Sequence, residues 1–145
     1  MPAESYRALL REHFAAKTRL DGDTLRGQLT PDIRYWPPAS GAARGLTTRP
    51  LVGRENVVTL FTEVSARLYG AGRLWAIEYL VADDAFGATQ TTLTTTVAAT
   101  GQPYQNTYVY LFRFDEGAMS EIWEHTDTAW AFEQFDASES GGQSG

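Results

Sequence analysis

The segment from Trp123 to Asp127, Trp-Glu-His-Thr-Asp, brings together residue types that acid–base catalysis uses. On a strand, residues two apart share a face, so Trp123, His125 and Asp127 are predicted to project together. The intervening Glu124 and Thr126 then face the other way. An imidazole and a carboxylate beside an indole form a candidate acid–base pair in a low-dielectric setting. The candidate catalytic residues are therefore Asp127 and His125.

Composition limits the class of protein and its chemistry. A chain of 145 residues and 16.0 kDa predicts one globular domain. The formal charge of -6 disfavours a nucleic-acid partner. Because no apolar run is long enough to span a membrane and no signal peptide is recognisable, we expect a cytoplasmic protein without a membrane partner. The absence of cysteine excludes disulfides and thiolate metal sites, and Lys17 is the only lysine at which Schiff-base chemistry is available.

The N-terminal half has mostly helical periodicity. Apolar residues at helical spacing predict a long first helix, a short second helix capped by Asp23 that ends before Pro31, and a third helix. A short strand and a Gly/Ala/Thr-rich loop separate the second helix from the third, and loops of this length often cover a binding site. The predicted bounds are about Glu4–Leu20 and Arg54–Tyr69 for the long helices, Pro31–Trp36 for the strand and Ala39–Pro50 for the loop.

From Arg73 onward the pattern alternates as in strands, with turn compositions between the alternating segments. Helices followed by an antiparallel meander predict an α+β fold, with the N-terminal helices packed on one face of a curved, mostly antiparallel sheet. A last helical turn is expected at Ala129–Phe135, and residues 136–145 are predicted to be a disordered tail after a domain of residues 1–135. The predicted strands are Leu74–Ala82, Phe86–Ala99, Tyr104–Phe114 and Met119–Asp127.

The third meander strand, Tyr104–Phe114, is substantially apolar on both faces. One face must meet the helices, and the other face also needs a cover. A second copy of the chain is the simplest cover, so we expect a homodimer.

The order of helix, helix, strand, helix and four-stranded meander resembles the SnoaL-like branch of the nuclear transport factor 2-like superfamily. The resemblance covers residues 4–135 and implies a cone-shaped roll with a blind pocket lined by inward strand positions. Relatives include cofactor-free polyketide cyclases, ketosteroid isomerase and limonene-epoxide hydrolase, besides members without catalysis, so the fold alone selects no reaction. The supporting motifs are Leu20-Asp21-Gly22-Asp23, Leu51-Val52-Gly53-Arg54-Glu55 and Arg113-Phe114-Asp115-Glu116-Gly117.

Among these relatives, the polyketide cyclases match best. Their general acid–base residue is an Asp on the last strand a few residues after a Trp, as Asp127 follows Trp123, and Gln134 lies where they often have a Gln. Ketosteroid isomerase would need a carboxylate where Trp36 stands. The epoxide hydrolases would need an Arg-x-Asp pair where Asn106-Thr107-Tyr108 stands.

The resemblance therefore implies a cofactor-free acid–base enzyme, a cyclase or isomerase, acting on an apolar or aromatic small molecule with a carbonyl group. Asp127 would transfer the proton and His125 would assist it; neither a metal nor a cofactor is expected. A non-catalytic binder of such a ligand and a dimerisation module remain alternatives. The pattern of His125 and Asp127 is equally compatible with a purely structural pair. The predicted substrate-binding residues are Trp36, Asn106, Tyr108, Tyr110, Phe112 and Trp123.

Overall fold

The computed structural model describes the backbone of residues 2–144 and the side chains of residues 2–136. Over these residues, helices precede a curved six-stranded mixed sheet, which is the α+β architecture expected from the sequence. The helices are α1 (Ala3–Arg19), α2 (Gly22–Gly27), α3 (Arg54–Thr59), α4 (Ser65–Leu68) and α5 (Thr128–Ser144). The strands are β1 (Leu29–Trp36), β2 (Leu51–Val52), β3 (Leu74–Ala82), β4 (Phe86–Thr96), β5 (Pro103–Asp115) and β6 (Ala118–Thr126).

Helix α1 supplies the long apolar stripe that packs against the inner face of the sheet. Tyr6, Leu10 and Phe14 recur every fourth residue and are buried, because residues at this spacing lie on one face of a helix. Lys17 lies on the same stripe and is also buried. The helix ends where Leu20 adopts a left-handed conformation with φ of 56°. The first helix thus carries a basic residue into the interior.

The connections after α1 differ in detail from the sequence prediction. Asp21 rather than Asp23 caps α2: its carboxylate accepts hydrogen bonds from the Thr24 backbone N–H at 3.1 Å and from the Thr24 hydroxyl at 2.6 Å. The predicted loop after β1 contains a short 3-10 helix, Ala39–Arg44. The third helix is continuous from α3 to α4 through a π-helical stretch, Leu60–Val64.

The sheet has the strand order β2-β1-β6-β5-β4-β3. Strands β1 and β6 run parallel, and the other neighbouring strands are antiparallel. The helices and the inner face of the sheet enclose the core, in which β5 contributes a buried residue at every second position. These β5 residues are Tyr104, Asn106, Tyr108, Tyr110, Phe112 and Phe114.

An irregularity in β6 decides which of its side chains face the core. Phe114 pairs with Met119, whereas Arg113, the residue before it, pairs with Glu121. Ser120 is therefore an extra residue on β6, which makes this position a β-bulge. Because one inserted residue turns all following side chains to the opposite face, the bulge reverses the alternation that starts at Met119.

Beyond the bulge, even-numbered residues of β6 face inward. Ile122 is buried, and Glu124 stands opposite Tyr110 on the inner face. Trp123 stands opposite Leu111 on the outer face, and His125 follows on the same side. The strand therefore presents two different sets of side chains to the core and to the exterior.

Helix α5 follows β6 directly and extends through Ser144. Its bounds include residues 136–144, for which the sequence predicts a disordered tail. The predicted domain boundary after residue 135 stays a prediction. Among the helices that the structure describes, none is both long enough and apolar enough to cross a membrane.

Candidate functional site

The residues predicted to form the site lie on two different faces of the sheet. Asn106, Tyr108, Tyr110 and Phe112 are buried on the inner face, as expected for residues lining the interior of a cone-shaped fold. Their predicted contacts with a substrate stay a prediction.

The remaining predicted residues do not face the interior. Trp36 donates its indole N–H to the Glu121 carboxylate at 2.7 Å, and Trp123 lines a groove on the outer face. His125 is exposed. Asp127 is exposed as well, and its carboxylate accepts a hydrogen bond from the Trp130 backbone N–H at 3.0 Å in the first turn of α5.

The expectation that Trp123, His125 and Asp127 share a face agrees with the alternation beyond the bulge, but their predicted position inside the pocket is wrong. The bulge at Ser120 turns these side chains outward. Asp127 also stands just beyond β6, where it caps α5. The catalytic roles predicted for His125 and Asp127 stay predictions, without support from their positions.

Four polar side chains from four different elements meet on the inner face instead. Lys17 comes from α1, Tyr35 from β1, Tyr110 from β5 and Glu124 from β6; we call them the interior cluster. The Lys17 ammonium donates to the Tyr110 hydroxyl at 3.2 Å, and that hydroxyl donates to Oε1 of Glu124 at 3.3 Å. The Tyr35 hydroxyl donates to the same oxygen. Two tyrosine hydroxyls thus converge on one carboxylate oxygen.

Aromatic rings surround the amine of the interior cluster. The Lys17 Nζ lies 3.9 Å from the centroid of the Trp75 ring and 4.5 Å from that of Tyr110. The rings of Phe61 and Phe14 lie at 5.0 and 5.2 Å. A cation is attracted to the faces of such rings, but they replace the water that would otherwise solvate it.

Burial shifts the protonation equilibria of the cluster. It lowers the pKa of Lys17 to about 7, although the charge of Glu124 opposes this shift. Burial also raises the pKa of Glu124 above its ordinary value, against the hydrogen bond from Tyr35 and the charge of Lys17. The pKa values of Tyr35 and Tyr110 are raised too, mainly by burial, so both remain hydrogen-bond donors at neutral pH.

His13 is the second buried nitrogen base of α1, and it lies outside the hydrogen-bonded cluster. Burial and the charge of Lys17 lower the pKa of His13 to about 3, against a hydrogen bond with Gln28, so its imidazole is neutral. Its Nδ1 lies 3.1 Å from Oε1 of the Gln28 side chain, and the ring packs edge-on against Phe61 and Phe112. His13 is therefore a packed core residue.

A second group of hydroxyls adjoins the interior cluster. The Tyr108 hydroxyl lies 2.7 Å from that of Tyr104 and 3.4 Å from that of Tyr69. Asn106, whose contact with a substrate oxygen stays a prediction, donates its amide N–H to the Asp127 backbone carbonyl at 3.0 Å. Asn106 therefore holds the end of β6 in place.

Two residues at the edge of the interior cluster are partly exposed. Lys17, Tyr35 and Tyr110 are buried, whereas Glu124 and Trp75 retain part of their surface toward solvent.

Sequence reasoning assigned no role at the site to Lys17, Tyr35 or Glu124. Lys17 did carry a signal, since a lysine within an apolar helical stripe is unusual. For Glu124, the signal was the spacing of Met119 and Ile122, two apolar residues three apart. On a regular strand they would face opposite sides, so burying both requires a bulge between them, which also turns Glu124 inward. Among the described residues, no group of carboxylates and imidazoles has an arrangement that could hold a metal ion.

Comparison with solved structures identifies similar folds. An NTF2-like protein of unknown function from Burkholderia pseudomallei shares 22% identity over 90% of this chain and 96% of its own, with a TM-score of 0.75. IdmH, a candidate polyketide cyclase from Streptomyces antibioticus, shares 21% identity over 89% of this chain and 96% of its own, with a TM-score of 0.72. An LEH-like epoxide hydrolase from M. tuberculosis shares 19% identity over 91% of this chain and 90% of its own, with a TM-score of 0.71.

No curated protein sequence matches the chain, whereas a family model does. The model of the SnoaL-like domain matches residues 10–125, which include the second half of α1, nearly all of the sheet and the four residues of the interior cluster. The chain therefore belongs to the SnoaL-like family.

Proposed function

We propose that the chain is a cofactor-free enzyme that moves protons on a small apolar molecule with a carbonyl group, and that the interior cluster is its active site. The observation that carries this proposal is the convergence of the Tyr35 and Tyr110 hydroxyls on one oxygen of Glu124, in an interior lined with aromatic rings. The fold shared with IdmH, a candidate polyketide cyclase, supports a cyclase or isomerase within this class.

Glu124 is the proposed acid–base residue. Its raised pKa brings it closer to the range in which a carboxylate is an effective base at neutral pH. As the anion, it removes a proton from the carbon next to the substrate carbonyl. As the acid, it returns that proton to another carbon or to an oxygen, which isomerisation and aldol ring closure both require.

Tyr35 and Tyr110 are the proposed donors to the substrate oxygen. In the free protein both hydroxyls donate to Oε1 of Glu124, so an oxygen placed there accepts two hydrogen bonds from fixed donors. Removal of the neighbouring proton turns a carbonyl oxygen into an enolate oxygen, which accepts these bonds more strongly. Preorganised donors in a dry site therefore stabilise the charged intermediate more than the substrate.

The experiment compares two acid-to-amide variants near the end of β6. Wild type, Glu124→Gln and Asp127→Asn are mixed with a panel of apolar ketones in deuterated buffer, and exchange of the protons next to the carbonyl is followed by NMR. We expect Glu124→Gln to lose about 100-fold or more of the exchange rate and Asp127→Asn to retain it, because asparagine also caps a helix.

Two results would contradict the proposal. Loss of exchange in Asp127→Asn with full exchange in Glu124→Gln would move the acid–base chemistry to the outer face. If the wild type accelerates no exchange, yet binds naphthols as measured by their fluorescence, the protein is a non-catalytic binder of aromatic molecules. Circular dichroism is the folding control: when the spectra of the two variants coincide, their exchange rates can be compared directly.

We also propose that a second copy of the chain covers the outer face of the sheet. Tyr79 and Val81 are 70% and 65% exposed there, beside a groove of about 640 Å³ lined by Phe86, Leu111 and other residues. Arg113 lies over the Phe86 ring and forms an ion pair with Glu121 at 3.4 Å, so charges of both signs border the apolar surface that two identical copies would bury. Sedimentation velocity should show a dimer that Leu111→Arg dissociates, and a monomeric wild type would rule it out.

A further inference from the structure

Lys17 has an unusual position for the only lysine of the chain. It is 5% exposed, although lysine is among the residues least often buried without a partner. Within the described residues no carboxylate forms an ion pair with it, and its ammonium donates instead to the neutral hydroxyl of Tyr110. No carboxylate of the described part of the chain touches the amine directly, because the Tyr110 hydroxyl lies between Lys17 and Glu124.

This environment favours the free amine. Water is replaced by the rings of Trp75, Tyr110, Phe61 and Phe14, which solvate an ammonium less well. Burial accordingly lowers the pKa of Lys17 to about 7, so a large share of the protein carries a neutral amine at neutral pH. A desolvated neutral lysine is a nucleophile toward carbonyl carbon.

The groups that imine formation requires lie next to this amine. The Tyr110 hydroxyl, 3.2 Å from Nζ, can exchange a proton with it, and the same hydroxyl touches the Glu124 carboxylate. We propose that Lys17 forms an imine with the carbonyl group of an apolar aldehyde or ketone, and that the interior cluster then removes a proton from the adjacent carbon. This inference rests on the proposed function, and it states how the carbonyl is activated.

The chemistry balances with the residues present. The Lys17 amine attacks the carbonyl carbon and a C–N bond forms, while the π electrons of the C=O bond move to the oxygen. Tyr110 gives its proton to that oxygen and takes one from the amine, which yields a carbinolamine. Glu124 in its acid form then protonates the hydroxyl, which leaves as water, and the iminium ion forms.

The iminium ion makes the next proton transfer easier. Glu124, now the anion, removes a proton from the neighbouring carbon, and the electron pair of that C–H bond forms an enamine. The enamine carbon is a nucleophile: it takes a proton at a new position or attacks a second carbonyl group of the same molecule. Water then hydrolyses the imine and frees the Lys17 amine. The expected substrates are therefore small aldehydes or ketones with apolar or aromatic substituents.

The experiment traps the imine by reduction. The full-length protein is mixed with phenylacetaldehyde or phenylacetone and then with sodium borohydride, which converts an imine into a stable secondary amine, and peptide mass mapping locates the adduct. Lys17→Arg is one control, since it keeps the cation but forms no imine. The double variant Lys17→Arg/Arg11→Lys is the other, because Arg11 is exposed on the same helix and its replacement supplies an ordinary lysine amine.

We expect the adduct on the wild-type peptide that contains Lys17, and none on that peptide in Lys17→Arg. At neutral pH, Lys17 should be modified at least about 10-fold faster than the amine introduced by Arg11→Lys, since most of the exposed amine is protonated. The rate at Lys17 should level off above pH of about 7, whereas the rate of the exposed amine keeps rising toward its ordinary pKa.

Labelling of the exposed amine without labelling of Lys17 would overturn the imine. Proton exchange separates this failure from failure of the proposed function. If Lys17→Arg retains exchange and Glu124→Gln loses it, the carbonyl is activated by hydrogen bonds alone and the proposed function stands. If both variants retain exchange, the interior cluster is not the active site.

Discussion

Strands β5 and β6 present two surfaces whose residues are neighbours in sequence and opposite in character. On the inner surface, Tyr110 and Glu124 stand opposite each other and join Lys17 in a buried polar cluster. On the outer surface, Leu111 stands opposite Trp123 along an exposed apolar groove.

The comparison is sharpest for two carboxylates only three residues apart. Glu124 is desolvated and its pKa is raised, whereas Asp127 is exposed and accepts a backbone hydrogen bond at the start of α5. Both are carboxylates close to a histidine in sequence, but only Glu124 accepts hydrogen bonds from the buried hydroxyls of the interior cluster. Desolvation by the fold, rather than residue type, therefore separates a candidate catalytic acid from a helix cap.

Insertion of one residue between Glu121 and Ile122 tests the origin of the two surfaces and has the largest expected effect. The insertion shifts the alternation beyond the bulge by one residue, so it would turn Trp123 and His125 inward and Ile122 and Glu124 outward. Because an apolar side chain would then leave the core and an imidazole would enter it, we expect the protein not to fold cooperatively, as measured by circular dichroism during thermal unfolding.

The matched control is Ser120→Ala. It keeps the bulge residue and removes only the hydrogen bond from the Ser120 hydroxyl to the Arg113 carbonyl at 3.3 Å, so we expect a loss of about 1 kcal/mol or less. An insertion variant as stable as this control would show that the core does not depend on the register of β6.

The bulge is also the point where the sequence is insufficient for prediction. Helix α1 and strands β3 to β6 follow from hydrophobic periodicity because a single face of each is buried, and their predicted bounds lie close to the observed ones. Beyond Met119, two alternations are both plausible: one buries Trp123 and the other buries Ile122. Packing against β5 and β1 decides between them, and these contacts are remote in sequence.

The role of Asp127 has a similar ambiguity. An Asp before a helical segment is a standard capping residue, and an Asp after a Trp on a last strand matches the polyketide cyclases. The end of β6 at Thr126 and the start of α5 at Thr128 give Asp127 the capping position. The site itself joins α1, β1, β5 and β6, so its composition depends on the tertiary fold, although the inward position of Tyr110 was predictable from β5 alone.

Removal of single hydroxyls tests the donors of the inner surface. We expect Tyr35→Phe and Tyr110→Phe each to slow proton exchange by about 100-fold, because each removes one preorganised donor to the enolate oxygen. Tyr79→Phe removes an exposed hydroxyl from the outer surface and should change the rate by about twofold or less.

The measurement is the NMR exchange rate at saturating ketone. Equal rates for all three tyrosine variants would mean that the two inner hydroxyls make no contact with the reacting oxygen. A loss in Tyr79→Phe alone would place the reaction on the outer surface.

The pH dependence of stability tests whether Lys17 is shielded from water in the folded protein. It is the smallest of the expected effects. The pKa of Lys17 is about 7 in the folded protein and 10.5 as an ordinary lysine, so between these values the unfolded chain binds more protons. Stability therefore rises with pH in this window. Relative to Lys17→Met, which lacks the titration, the wild type should gain about 2 kcal/mol in free energy of unfolding between pH of about 7 and 9.

Urea unfolding followed by tryptophan fluorescence provides this difference at each pH, and comparison with Lys17→Met cancels the titration of every other group. Arg11→Met is the matched control, because Arg11 is an exposed basic residue on the same helix and its loss should leave the pH dependence unchanged. Parallel pH profiles for wild type and Lys17→Met would mean that the folded protein keeps Lys17 as solvated as the unfolded chain does. The amine would then be protonated at neutral pH, and neither a nucleophilic Lys17 nor a dry interior cluster would be compatible with that result.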